Sequence, residues 1–393
     1  MAERYSILSL LTWLAALIVI MTGCLSNGNK NVEPGRDMAP DGGSSLMYAE
    51  RFTLEDNETY TLLRVINPWQ GEGDIVKKYW LIERDVDADS LNVPDDVTVV
   101  RTPVDRVVCM SVTHVAMLDA IDKGSAIIGV SGGKMVYNRD LRERIERGEV
   151  REVGYEESLN RELIASMDAD LLIAYGIGGE SAGYFARLSE MGVNILYNAE
   201  YLERSPLGKA EWIKLFGALT GEREKSDSIF TEVREEYYRN MRLYRNEVVS
   251  DIPSVLLGLP WRDTWYVSPG NSFISNIIDD AGGNYLWRDR ESGYSMPMGI
   301  ESVYMRALEA DYWINPGAAE SLREIALSDE RLTTLDVYKR GEVYNNTKRV
   351  REGGANDYWE TGSVRPGLLL RDIALIISGR GEEADLYFYK RLE

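Results

Sequence analysis

From Arg106 onward, short apolar runs alternate with helical stretches, and this rhythm leaves few folds open. Arg106–Met110 (RVVCM) reads as a buried strand, and a helix is predicted from about His114 to Lys123. Ala126–Val130 is the next strand. Then come a helix over Asn160–Met167, a strand over Asp170–Tyr175, a helix over Ser181–Met191 and a strand over Val193–Tyr197. Short strands separated by helices call for parallel βαβ units. Their continuous apolar character calls for cover on both faces. A second run follows, with strands at Ser254–Leu259, Trp265–Val267, Asp311–Asn315 and Glu342–Asn345. Its helices are Ser272–Ala281, stopped by Gly282-Gly283, then Ile300–Leu308 and Gly367–Ser378.

Between the two runs, Glu222–Ser250 holds no Gly or Pro. Ile229, Val233, Tyr237, Met241, Tyr244 and Val248 fall along one helical face. About 28 residues at ~1.5 Å each give a rod of ~42 Å, long enough to span two domains. The expected class is therefore α/β: two Rossmann-like lobes with parallel sheets, residues 102–221 and 251–393, joined by one long rigid helix over 222–250. A loose echo between ASMDADLLIAYG and RALEADYWINPG supports similar lobe folds. Residues 46–101 add a small N-terminal β element. There Tyr60–Ile66 and Lys78–Glu83 are rich in β-branched and aromatic residues, with turn formers Asp56-Asn57 and Gly71-Glu72-Gly73 around them.

The start of the chain reads as an export signal. Ile7–Met21 is almost without polar groups, shorter than a spanning helix and matched to a signal-peptide core. It ends in Met21-Thr22-Gly23-Cys24, small residues before a cysteine, which resembles a lipoprotein processing site. Residues 1–23 are then expected to be the signal peptide, with the Cys24 thiol carrying the lipid and becoming the mature N-terminus; the alternative is an uncleaved N-terminal anchor, which also leaves the bulk of the chain outside the membrane. Two acyl chains suffice for stable anchoring where one does not. Residues 24–45, rich in Asn, Gly, Pro and Ser, read as a flexible tether.

Composition removes whole classes of chemistry. With 44 basic and 64 acidic residues the net charge is −20, the wrong sign for general nucleic-acid binding. A single histidine, His114, removes zincin motifs and multi-histidine metal sites. Two cysteines make neither a disulfide framework nor a zinc or iron–sulfur site. The turn Gly176-Ile177-Gly178-Gly179-Glu180-Ser181 fails the dinucleotide fingerprint, whose third glycine falls at Ser181, and it has no P-loop lysine. It still marks the carboxyl end of a strand, where open α/β sheets bind ligands. His114 follows a strand but no G-x-S-x-G elbow accompanies it. Cys109 reads as a small buried hydrophobe. Aromatics are more telling. Tyr155, Tyr175, Trp261 with Arg262, and Trp359 fall in loops at strand ends. With Thr113 and His114 they form the candidate ligand set, suited to a large, partly apolar ligand.

From Arg106 to the C-terminus the order RVVCMSVTHVAMLDAI, AIIGVSGG, VGYEESLNRELIASMDADLLIAYG, a long helix, then MPMGIESVYMRALEADYWI is similar to a known family. It resembles the ABC-transporter substrate-binding lipoproteins for iron–siderophore, heme and cobalamin. That resemblance implies two α/β lobes joined by a rigid helix with the ligand between them. It implies an iron or cobalt organic complex as ligand, with no cofactor of the protein's own and no resident metal. It implies a permease and its ATPase as partners, and a monomer held at the membrane by its lipid, facing the periplasm or cell surface. It also implies that Glu162 and Glu301, one per lobe, dock to arginine pockets of the permease. No catalysis is expected. The alternative is a surface enzyme on the same fold using His114 or paired carboxylates. The N-terminal β element departs from the family pattern.

Overall fold

The computed structural model describes residues 46–71, 74–155, 158–176, 179–245, 252–382 and 384–393. The signal peptide, Cys24 and the tether lie outside the described residues, as do Ile177 and Gly178 of the glycine-rich turn. Among the described residues no helix is long and apolar enough to cross a membrane.

The N-terminal element is larger than its two recognised strands. Four strands, β1 (Phe52–Asp56), β2 (Thr61–Ile66), β3 (Val76–Glu83) and β4 (Val97–Thr102), form one sheet. The first three are antiparallel and β4 runs parallel to β3. Alternation gives the sheet one apolar face: Phe52, Leu54, Leu63, Val65, Tyr79, Leu81 and Val100 are buried. That face belongs to the main core. The Phe52 and Trp212 rings lie 4.4 Å apart. The element is thus welded to the body rather than merely attached.

The first lobe holds β5 (Val107–Cys109), β6 (Ile127–Val130), β7 (Arg151–Glu152), β8 (Leu171–Ala174) and β9 (Ile195–Tyr197). They are all parallel, in the order β7-β6-β5-β8-β9. Alternate residues face opposite cores. Val107 and Cys109 join the main core, while Val108, Met110, Leu172 and Ala174 pack with Phe185 and Leu188 in a second cluster. Cover on both faces explains why these strands read as unbroken apolar runs. Burial also pushes the Cys109 thiol well above its ordinary pKa.

The second lobe holds β10 (Ser254–Leu257), β11 (Thr264–Val267), β12 (Asn284–Tyr285), β13 (Met296–Gly299), β14 (Tyr312–Ile314), β15 (Val343–Asn345) and β16 (Lys390–Arg391). Its main sheet runs β12-β10-β14-β15-β16, parallel except for β16, and β11 pairs with β13 apart from it.

The connecting helix is Arg223–Arg245, 23 residues and ~34 Å at the usual rise. The rest of the expected rod, 246–250, lies outside the described residues. Its neighbours hold it from both sides. A Cβ on Gly217 would lie 2.1 Å from Ser226 Oγ, so only glycine admits this approach from the first lobe. On the other side Arg365 makes a forked ion pair with Glu236, and Tyr237 donates to Asp280 at 2.6 Å. The helix is therefore fastened to both lobes along its length.

Candidate functional site

The carboxyl ends of both parallel sheets point to the seam between the lobes. In the first lobe the strand order reverses between β5 and β8, and in the second between β10 and β14. Open α/β sheets take ligands at such places. A cleft of about 420 Å³, within the usual range for small-molecule sites, lies along the seam, reached by the stretch after β9 and by Asn315 after β14. Its first-lobe wall comes from the stretch after β9: Tyr201, Glu203 and Arg204, with Lys209 from the helix Pro206–Glu211. Arg51 and Gln70 of the N-terminal sheet complete that wall. The second-lobe wall is aromatic and hydroxylic, with Phe273, Tyr294, Tyr358 and Trp359 beside Ser268, Ser272 and Ser292.

Several bonds cross the seam. Asn276 Nδ2 donates to the Arg204 carbonyl at 3.0 Å, and Lys209 Nζ sits 5.3 Å from the Phe273 ring centre. Arg351 lies over the Tyr137 ring at 4.5 Å. The Glu360 carboxylate, next to Trp359, accepts the backbone N–H groups of Tyr137 and Asn138. Those groups open the helix Arg139–Glu146, whose positive end suits a carboxylate. Burial outweighs the two donors and pushes Glu360 up to about 7.

Of the ligand candidates read from sequence, only Trp359 lines this cleft. Thr113 and His114 sit in the helix Val112–Ala120, both buried. The structure corrects the reading of His114 as a cleft residue. Its ring is fully enclosed, 6.3 Å from the Phe216 ring centre and beside the Ile173 backbone. Desolvation lowers it to about 4, against the nearby Glu200, so it is a neutral core residue at ordinary pH. Thr113 Oγ1 lies 2.9 Å from Ser111 Oγ, inside the helix's own cap. Tyr175 donates to Tyr155 at 3.1 Å; neither lines the cleft, although the Tyr175 ring packs edge-on, 6.3 Å between centres, against Tyr201, which does. Trp261 and Arg262 stack on one another at 4.6 Å in an exposed turn, also outside the lining. Glu162 and Glu301 are exposed, each in the first turn of its helix, Arg161–Ser166 and Ile300–Ala307. Glu301 pairs with Arg331 at 3.3 Å.

Sequence reasoning missed Arg51, Gln70, Tyr201, Arg204, Lys209 and Tyr294. Tyr201 and Arg204 follow the buried strand β9 just as Tyr175 follows β8, so the same strand-end signal points to them. Arg51 carried no signal, because its region read as separate from the lobes.

Comparison with known proteins agrees with this geometry. No family model matches the chain. A lipoprotein of Methanocaldococcus jannaschii is 25% identical over 389 residues, spanning 91% of this chain and 89% of the relative. A periplasmic heme-binding protein from Pseudomonas aeruginosa superposes with a TM-score of 0.57 at 13% identity, covering 74% of this chain and 98% of that one. An Fe3+-hydroxamate transport protein from Saccharomonospora viridis gives 0.52 at 13%, covering 72% and 93%. The chain has the two-lobed fold of the periplasmic solute-binding proteins. In this fold the seam described above is the cleft between the lobes. About a quarter of the chain lies outside the larger of these superpositions.

Proposed function

We propose that this chain is the extracytoplasmic receptor of an ABC importer, binding an iron complex or a corrinoid between its lobes and delivering it to a permease. The observation that carries this reading is the cleft itself. Two parallel α/β lobes meet at their carboxyl ends around a cavity walled by Phe273, Tyr294, Tyr358 and Trp359. Flat, partly apolar ligands suit such walls, because aromatic faces bury large areas at low entropic cost. Binding and release involve no covalent step. Cys24 carries the lipid that holds the receptor, as a monomer, at the membrane, and the 22 residues from Cys24 to Ser45 let it reach the permease. Glu162 and Glu301 offer one exposed carboxylate per lobe, so a partner gripping both senses the lobes' separation.

Tryptophan-fluorescence titration with hemin, ferric siderophores and cobalamin tests the reading, and saturable quenching by one of them is expected. The double variant Glu162→Ala/Glu301→Ala should keep that affinity and lose uptake in cells. Failure of every probe to bind, or normal uptake by the double variant, would remove the ligand assignment or the docking role respectively.

A further inference from the structure

We infer that the N-terminal sheet is a working part of the ligand site, and that through Arg51 it makes the cleft selective for anionic metal chelates. This rests on the receptor reading above and adds the class of ligand.

The sheet's entry is built with unusual care for a stretch that follows a tether. Five successive backbone N–H groups are held by two buried carboxylates. Glu211 accepts from Met47, Tyr48 and Ala49, and Glu203 accepts from Glu50 and Arg51. Glu211 is completely enclosed and Glu203 nearly so. Trp212 Nε1 also donates to Glu203 at 3.0 Å. Such bonds are costly to break, because each carboxylate would be left buried without its donors. They fix the backbone of Arg51 at the cleft wall. Its Nη1 reaches the Asn67 carbonyl at 3.3 Å, which ties it to its own sheet.

The charge of the wall follows from the same bonds. Arg51, Arg204 and Lys209 line the cleft, and among the described residues none of them has a carboxylate within ion-pair distance. The one acid in the lining, Glu203, has its oxygens committed to N–H groups. Lys209 lies over the Phe273 ring, and burial lowers its pKa from the usual lysine value, opposed by the buried Glu200 carboxylate, which is near enough to act on it but not within ion-pair distance. Three cations lining one wall, with no ion pair among the described residues, contrast with a chain of net charge −20. Elsewhere the arginines commonly find acids: Arg64, Arg84, Arg223, Arg349 and Arg365 all do. Unpaired cations in a walled cleft focus potential on an incoming anion. Guanidinium groups also match the paired oxygens of carboxylates and catecholates. The opposite wall is uncharged, with aromatics for the ligand's flat faces and hydroxyls for its edges.

The test uses the full mature chain and three probes: a trianionic ferric tris-catecholate, the cationic ferrioxamine B, and neutral cyanocobalamin. The catecholate should bind at least tenfold more tightly than the other two, with affinity falling as salt rises. Arg51→Gln should weaken the catecholate about tenfold, the order of one charge-assisted hydrogen bond, and flatten the salt dependence. Arg51→Lys should restore part of both. An unchanged melting temperature for Arg51→Gln would separate a contact with the ligand from damage to the sheet. Tight catecholate binding indifferent to Arg51→Gln and to salt would overturn the role of the sheet. Binding of ferrioxamine or cyanocobalamin in preference would overturn anion selectivity and leave the receptor reading standing. Binding of none would sink that reading and this one with it.

Discussion

The two walls of the cleft are built on similar sheets and carry opposite chemistry. The first-lobe wall holds the cations Arg51, Arg204 and Lys209, whereas the second-lobe wall presents Phe273, Tyr294, Tyr358 and Trp359 with no charged side chain in the lining. The first wall is also backed by a second sheet whose apolar face merges with the lobe's core. The second is made of loops and the helix starts they lead into: Ser268–Ile274, entering the helix Phe273–Asp280, Ser292–Ser295 before β13, and Tyr358–Ser363, entering the helix Thr361–Val364. Charge is best placed on a fixed support, because it must be oriented before the ligand arrives. Aromatic faces tolerate small shifts, so they need a less strictly fixed support. The asymmetry teaches that a fold with two similar halves need not divide its binding work evenly.

The largest expected effect tests whether the first wall is one body with the N-terminal sheet. Trp212 is fully buried and packs on Phe52. Trp212→Ala should cost ~3–5 kcal/mol of stability by leaving a cavity and by stripping a donor from Glu203. Urea denaturation followed by fluorescence and by circular dichroism should show one shifted transition. Two separate transitions in the parent protein would make the sheet an independent ornament and break the comparison at its base.

A middle-sized effect distinguishes two exposed tryptophans of the second lobe. Trp359 lines the cleft, whereas Trp261 stacks with Arg262 outside the lining. Trp359→Ala should weaken whichever metal complex the titration identifies by about tenfold, since stacking contributes ~0.5–1.5 kcal/mol beyond its buried area. Trp261→Ala should leave affinity within about twofold. The reverse ranking in isothermal titration would move the site along the seam towards β10.

How legible this was differs between framework and site. The βα rhythm revealed both lobes and the connecting helix, because strands covered on two faces must be apolar throughout. Val107–Cys109 and Leu171–Ala174 show that pattern in the sequence itself. β1 and β4 were harder. FTLED and VTVVRT are half-buried strands whose polar positions dilute the signal. The cleft was least legible. Trp359 was found because an aromatic in a loop is conspicuous. Arg51, Arg204 and Lys209 look like ordinary surface cations until the fold shows that, among the described residues, none of them is in an ion pair. His114 misled for the converse reason. It follows a strand as a ligand group would, but the helix it begins turns its ring inward against Phe216.

The smallest effect concerns how the walls are latched. Glu360 of the second lobe accepts from Tyr137 and Asn138 of the first, and is pushed up to about 7. Desolvation is the main cause. The two N–H donors oppose it, and the carboxylates of Asp357, on its own loop, and Asp119, on the Val112–Ala120 helix, add to it. When the lobes part, this carboxyl returns to water and to an ordinary glutamate pKa near 4.3. The closed state therefore holds its proton more tightly than the open one. Its contribution to closure is fully present below about pH 4.3 and is lost as pH rises through about 7. The ligand-free protein should accordingly expand slightly between pH 5 and pH 8, as read by small-angle scattering or by a distance label across the seam. Glu360→Gln keeps an acceptor for one N–H group and cannot ionise, so its lobe separation should stay constant over that range. A parent protein whose dimensions do not change with pH, or a Glu360→Gln variant that expands as the parent does, would show that the walls are held by other contacts. Arg351 over Tyr137 and Asn276 on the Arg204 carbonyl would then be the bonds to cut next.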